Sequence, residues 1–148
     1  MKTRIMPPTV LFICLLLSVV LHFAFPVKKL VFFPYTLIGL LLIISGFVIT
    51  IWADNMFKKN NIPIKPHDTP TQIERSGPFS FSRNPMYLGM FEVLCGISLF
   101  LGSFSSIIPA FCFVLIMNNV FIPLEERNLE KEFGESYLLY KQSVRRWL

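Results

Sequence analysis

Residues 86–124 read MYLGMFEVLCGISLFLGSFSSIIPAFCFVLIMNNVFIPL, and Glu92 is their only charged side chain. The stretch divides into two apolar blocks, 86–104 and 107–124, around the connection GSFSS at 102–106. Each block approaches the roughly 20 residues needed to cross the hydrocarbon core of a bilayer. So short a connection makes the two helices neighbours and antiparallel. Two further blocks of this kind, 9–25 and 35–52, precede the hairpin. The composition agrees: 53% of the 148 residues are hydrophobic, 16 are Phe, and 16% are charged. The expected fold is therefore an all-α integral membrane domain. It has four transmembrane helices, a hairpin of helices three and four, and an amphipathic helical tail, in one domain over residues 1–148.

Charge sets the expected orientation. The N-terminus, the loop 54–85 and the tail 125–148 carry twelve of the fourteen Lys and Arg. The other two, Lys28 and Lys29, lie between the first two blocks. Positive charge is retained on the cytoplasmic side, so a multi-pass chain with both termini cytosolic is expected, in the inner membrane if the cell is bacterial. The net charge of +5 is thus a topology signal. Nucleic-acid binding, which needs a basic face with base-reading or stacking residues, is not expected. The N-terminal 26 residues imitate a signal peptide, but His22 and Ala24 in HFA give a poor small-residue cleavage pattern, so the segment reads as a retained helix. His22 itself reads as interfacial. Cys14, Cys95 and Cys112 lie inside apolar blocks without metal-ligand spacing, so no metal is expected.

Within the blocks, Gly39 and Gly46 are seven residues apart, as are Gly89 and Gly96. Seven residues make two helical turns, so each pair lies on one face where backbones can approach closely. Glu92 shares the face of Gly89 and Gly96. An ionisable residue inside a span is a functional candidate by default.

The polar segments carry the chemistry. The loop 54–85 has about thirty residues with five prolines and ends in GPFSFSRNPMYLGM at 77–90. Gly77-Pro78 marks a turn, Asn84 suits an N-cap, and Pro85 suits the first helical turn. Arg83, with Phe79, Phe81 and Tyr87, is not needed for capping. A helix start, an arginine and aromatic faces can hold a ligand that is anionic at one end and cationic at the other, as S-adenosylmethionine is. After Pro123 comes LEERNLEKEFGESYLLYKQSVRRWL, in which Leu129, Phe133, Tyr137, Tyr140 and Val144 fall on one helical face. Gly134 should interrupt that helix. A tail lying on the membrane surface explains the aromatics but not Glu125 and Glu126.

SGPFSFSRNPMYLGM, followed after one helical hairpin by EERNLEKEFGESYLLYKQSV, resembles the isoprenylcysteine carboxyl methyltransferase family. These are small integral-membrane methyltransferases that also resemble the phospholipid methyltransferases. The resemblance covers about residues 54–148. It implies binding of S-adenosylmethionine without a Rossmann fold, through Thr71, Gln72, Ile73, Glu74, Phe79, Asn84, Pro85, Met86, Tyr87 and Glu125, with the tail covering the cofactor. It also implies a lipophilic or lipidated acceptor, such as an isoprenylcysteine-like carboxylate. Arg83 is a candidate for the reacting site, and Glu92 is the candidate base for an amine or phenol acceptor. Two positions depart from the pattern. Asn84 stands where His is frequent, and Phe121 stands where prenylcysteine enzymes place the arginine that holds the acceptor carboxylate. Another lipophilic acceptor is therefore an equal expectation. The competing readings are a sterol-type reductase that uses NADPH and a non-catalytic membrane scaffold.

Overall fold

A computed structural model describes residues 5–25, 27, 29, 31–63 and 70–148. The described residues are helical apart from connections and one isolated β-bridge, between Lys29 and Ser103. Pro26 and Lys28, part of the expected first connection, lie outside the described residues.

Helix α1 spans Pro7–Ala24 and starts on two prolines, whose missing N–H groups would be unpaired in a first turn anyway. A 3-10 turn, Tyr35–Leu37, leads into α2, Ile38–Lys59. Helix α3 spans Pro85–Leu101 and ends on Gly102, whose φ of 75° favours a residue without a Cβ. After a second 3-10 turn, Ser105–Ile107, α4 (Ile108–Ile116) passes through a π-helical turn, Met117–Phe121, into α5, Ile122–Phe133. Helix α6 is Glu135–Ser143. Among the described residues, three helical stretches are long and apolar enough to cross a membrane: Pro7–Ala24, Tyr35–Lys59 and Ser105–Phe133. Helix α3 is apolar but shorter, at 17 residues.

Helix α3 lies at the centre. Against α2 it packs antiparallel along the expected glycine faces. Gly39 meets Gly96 and Phe100, while Gly46 meets Gly89 and Val93. The fit is backbone to backbone: a Cβ on Gly46 would stand 2.5 Å from the Gly89 carbonyl oxygen, and one on Gly96 would stand 2.6 Å from that of Gly39. On its other side α3 contributes Tyr87, Met90 and Leu94 to a core shared with Val10 and Cys14 of α1 and with Phe113, Met117, Phe121 and Ile122. Several polar groups in this interior are paired across helices. The Ser45 hydroxyl donates to Glu92 Oε2 at 2.8 Å, and the Ser98 hydroxyl donates to the Ser106 carbonyl at 2.7 Å. His22 Nδ1 lies 2.9 Å from the Ser103 hydroxyl. At the same end of the bundle the two short connections pair, Val31 N–H donating to Gly102 O and Phe104 N–H to Val27 O, each at 3.3 Å.

Two boundaries differ from the sequence expectation. Helix α2 does not end at Trp52 but runs to Lys59, so residues 54–59, assigned to the loop, are helical. Its last turns are held by polar pairs that hydropathy does not register, such as Lys58 Nζ at 2.5 Å from Asp54 Oδ2. The last apolar block likewise continues without a break into α5, so Glu125 and Glu126 belong to a helix and not to the start of a separate tail. The break comes at Gly134, as expected. There φ is 51°, and an added Cβ would meet no atom within 4 Å, so the glycine is required by backbone conformation and not by crowding.

Candidate functional site

Extension of α2 past the apolar block creates a wall. Asp54 and Phe57 on its last turns face the start of α3, the loop after residue 70, and the polar half of α5. Between them lies a cavity of about 380 Å³. Its lining includes Gln72, Ile73, Glu74, Phe79, Arg83, Asn84, Pro85, Met86, Tyr87 and Glu125, which the sequence scatters over more than fifty positions. Met6, Pro7 and Pro8 at the start of α1 and Ile51 and Met90 in the bundle give it an apolar side. Tyr137 and Tyr140 of α6 also line it.

Each wall has a local cause. Phe79 lies on a 3-10 turn, Gly77–Ser80, and stacks on Phe57 with ring centroids 4.9 Å apart and planes within 6°. The Tyr140 hydroxyl donates to the Phe79 carbonyl at 2.6 Å, which ties α6 to the turn. Arg75 strengthens the tie, donating to the Ser136 carbonyl at 2.7 Å with its guanidinium over the Tyr140 ring. Burial pushes both phenols up, Tyr137 to about 12 with the Glu126 charge adding to it, so they are neutral donors under ordinary conditions. Glu74 organises the segment before the turn. Its carboxylate accepts from the Ser76 N–H at 3.0 Å, the Ser76 hydroxyl at 2.6 Å and the Arg75 N–H at 3.1 Å, and also from Asn60. Burial acts to raise its pKa, but these hydrogen bonds outweigh burial and hold the carboxyl below its ordinary value. Gln72 Nε2 reaches the Asn60 carbonyl at 3.5 Å.

The adjacent acids separate. Residues i and i+1 point about 100° apart on a helix, and here their surroundings differ in kind. Glu126 is buried and receives three cations: Arg83 Nη1 at 3.2 Å, Arg146 Nη2 at 2.8 Å and Lys141 Nζ at 3.6 Å. Glu125 faces the cavity and accepts a hydrogen bond from the Tyr87 hydroxyl, and among the described residues no cation pairs with it.

Three expectations are modified. Thr71 is exposed and outside the cavity wall, its hydroxyl lying 3.5 Å from the Asn61 carbonyl. Asn84 occupies the N-cap position of α3, but its side chain makes no capping hydrogen bond. Its Nδ2 donates instead to the Arg146 carbonyl at 2.9 Å, because the C-terminal segment returns across the helix start. Glu92 is held against α2 by Ser45 and is not part of the cavity wall. Sequence reasoning missed Asp54, Phe57 and the Arg146–Glu126 contact. The first two were concealed by the assumed end of α2. The last joins residues twenty apart with no local pattern.

The return of the chain also ties Arg83 N–H to the Arg145 carbonyl at 3.0 Å and Trp147 Nε1 to Asn118 Oδ1 of the π-helical turn at 3.0 Å. Arg146→Ala should therefore lower stability by about 1–2 kcal/mol. Because the Arg146 side chain is 36% exposed, the loss should shrink in high salt. Thermal unfolding in detergent at two ionic strengths checks this. An unchanged midpoint at low salt would show that the return segment is not held by Glu126.

The family model described as phospholipid methyltransferase matches residues 35–136, which takes in α2, α3, the hairpin and most of the cavity wall, but not Met6, Pro7 and Pro8 or Tyr137 and Tyr140. The chain belongs to the phospholipid methyltransferase family. An integral-membrane methyltransferase is thus the general class to which the apolar helices and the cavity belong. The chain is also 41% identical, over 63 residues, to an uncharacterized protein of Haemophilus influenzae. That match covers 43% of this chain and all of the Haemophilus protein. No solved structure matches this phospholipid methyltransferase family member.

Proposed function

We propose that the protein is a methyltransferase that takes its methyl group from S-adenosylmethionine and delivers it to a lipophilic acceptor at the cytosolic face of the membrane. The observation that carries this reading is the contrast between the two acids. Glu126 has three cations, whereas Glu125 offers its carboxylate to the cavity with Tyr87 as its partner. A carboxylate in that setting suits a cationic ligand.

The other walls fit the same molecule. A cavity of about 380 Å³ lies within the range of roughly 300–1,000 Å³ typical of small-molecule sites. Phe79, Tyr137 and Tyr140 supply aromatic surface for a purine ring, and Glu125 supplies an acceptor for an amine or ribose hydroxyls. Bound there, the cofactor would supply an electrophilic methyl group on a sulfonium. The chain's contribution is to orient the reactants and exclude water, which can account for much of the rate in an in-line displacement. The apolar side around Pro7, Ile51 and Met90 suits the acceptor. Phe121 is 2% exposed and packed in the core, so that position offers no cation to an acceptor carboxylate.

In this reading α3 is a fourth crossing and the chain one domain. Its 17 residues rise roughly 26 Å at 1.5 Å each, close to the ~30 Å hydrocarbon core, and it is packed antiparallel to α2. The distribution of Lys and Arg supports cytosolic termini. Calorimetry in detergent tests the cofactor directly. S-adenosylhomocysteine, the demethylated product, should bind saturably and NADPH should not. Saturable NADPH binding without S-adenosylhomocysteine binding would replace this reading with a reductase.

A further inference from the structure

Arg83 is the only cation on the described walls of the cavity, which otherwise carry the carboxylates of Asp54, Glu74, Glu125 and Glu126. Its side chain is 8% exposed. Its Nε and Nη1 are buried and have no hydrogen-bond acceptor among the described residues, although Nη1 lies 3.2 Å from Glu126 Oε1 as an ion pair and the guanidinium also interacts with the Tyr137 hydroxyl. Buried guanidinium donors are rarely left unmatched, so such a group points to a ligand.

Glu126 does not cancel the Arg83 charge. The same carboxylate receives Arg146 through two nitrogens, at 2.8 and 3.2 Å, and Lys141 at 3.6 Å. Lys141 is also 2.6 Å from Glu130. The cluster therefore holds three cations against two carboxylates, and one positive charge is left over beside the cavity. Glu125, on the same lining, supplies the opposite pole. The walls are thus matched to a ligand carrying a cationic and an anionic group.

Resting on the methyltransferase reading above, we propose that Arg83 is the oxyanion-binding residue of the cavity, with its unmatched guanidinium N–H groups donating to a carboxylate or phosphate oxygen of the bound ligand. The carboxylate of the methyl donor and an acidic headgroup of the acceptor share this chemistry. A guanidinium suits it because its planar donors match an oxyanion in pairs.

The experiment uses the full chain in detergent, with Arg83→Gln and Arg83→Lys. The lysine variant keeps a cation beside Glu126 but has no Nε donor, so it reads binding even where the glutamine variant folds poorly. Calorimetry compares S-adenosylhomocysteine with its decarboxylated analogue, and thermal unfolding compares glycerol 3-phosphate with glycerol. If the oxyanion belongs to the methyl donor, the parent should prefer the carboxylate-bearing ligand by roughly ten- to a hundredfold, and both variants should bind the two ligands alike. If it belongs to the acceptor, glycerol 3-phosphate but not glycerol should raise the parent's unfolding temperature, and both variants should lose that shift while holding S-adenosylhomocysteine as the parent does. Either pattern supports the proposal. Variants that match the parent in both comparisons would overturn it, as would a parent that shows neither preference. A parent that binds no S-adenosylhomocysteine but is stabilised by glycerol 3-phosphate through Arg83 would sink the methyl-donor reading while leaving the oxyanion site standing.

Discussion

Glu125→Gln should weaken S-adenosylhomocysteine binding by roughly ten- to a hundredfold, the consequence of losing a charge-assisted hydrogen bond of about 1.5–3 kcal/mol. The substitution preserves shape and an acceptor for the Tyr87 hydroxyl, so the loss should come from charge and not from collapse of the wall. Glu92→Gln is the matched control. Glu92 accepts from Ser45 between α2 and α3 and is not on the cavity wall, and a glutamine oxygen there can still accept that hydrogen bond. Cofactor affinity in Glu92→Gln should therefore equal that of the parent, and turnover should stay close to it. Loss of a general base would instead lower turnover by about 10²–10⁴, which would mean that Glu92 reaches the acceptor. Titration of both variants decides the first question, and turnover with an active acceptor decides the second.

Gly46→Leu should be strongly destabilising to the bundle. Its Cβ alone would stand 2.5 Å from the Gly89 carbonyl oxygen and 2.9 Å from Val93 Cγ2. A backbone oxygen on a packed helix cannot turn aside as a flexible side chain can, so α2 and α3 must separate. Overpacking of this kind costs about 1–3 kcal/mol and occasionally more, a large part of the roughly 5–15 kcal/mol that holds a folded chain together. Separation would also move Thr50, Asp54 and Phe57, so cofactor affinity should fall with stability. Gly134→Ala is the contrast. It forces a side chain into a positive-φ conformation, at about 1–3 kcal/mol, but meets no neighbour. Thermal unfolding of both variants in detergent measures the difference. A parent-like Gly46→Leu would mean that α2 and α3 do not pack through these glycines in solution.

Much of this arrangement was legible in the sequence because it rests on periodicity. The seven-residue spacing of Gly39 and Gly46, and of Gly89 and Gly96, put each pair on one face, and those faces meet. The helix start at Asn84 and Pro85 and the break at Gly134 follow from local rules as well. The face expected through Leu129, Phe133, Tyr137, Tyr140 and Val144 is divided between α5 and α6, and of its residues Leu129, Tyr137 and Tyr140 reach the cavity. What local rules do not carry is direction and distance. Glu125 and Glu126 are equivalent in pattern and both reach the cavity wall, and only packing leaves one with Tyr87 and pairs the other with Arg83, Lys141 and Arg146. The Asn84 side chain could cap its helix by rule but is drawn to the Arg146 carbonyl, 62 residues away. Hydropathy ended α2 at Trp52 because Asp54, Lys58 and Lys59 are polar. Helical geometry continues past them, and that extension supplies one wall of the cavity.

The most direct measurement is methyl transfer itself. Membranes containing the protein are incubated with S-adenosylmethionine carrying a labelled methyl group, and the lipid-extractable fraction is counted against membranes containing Glu125→Gln. The proposed function requires label to enter the lipid fraction with the parent and to fall to a small fraction of that level with Glu125→Gln at limiting cofactor. Label that never exceeds that of membranes lacking the protein, across a panel of lipid extracts, would contradict it.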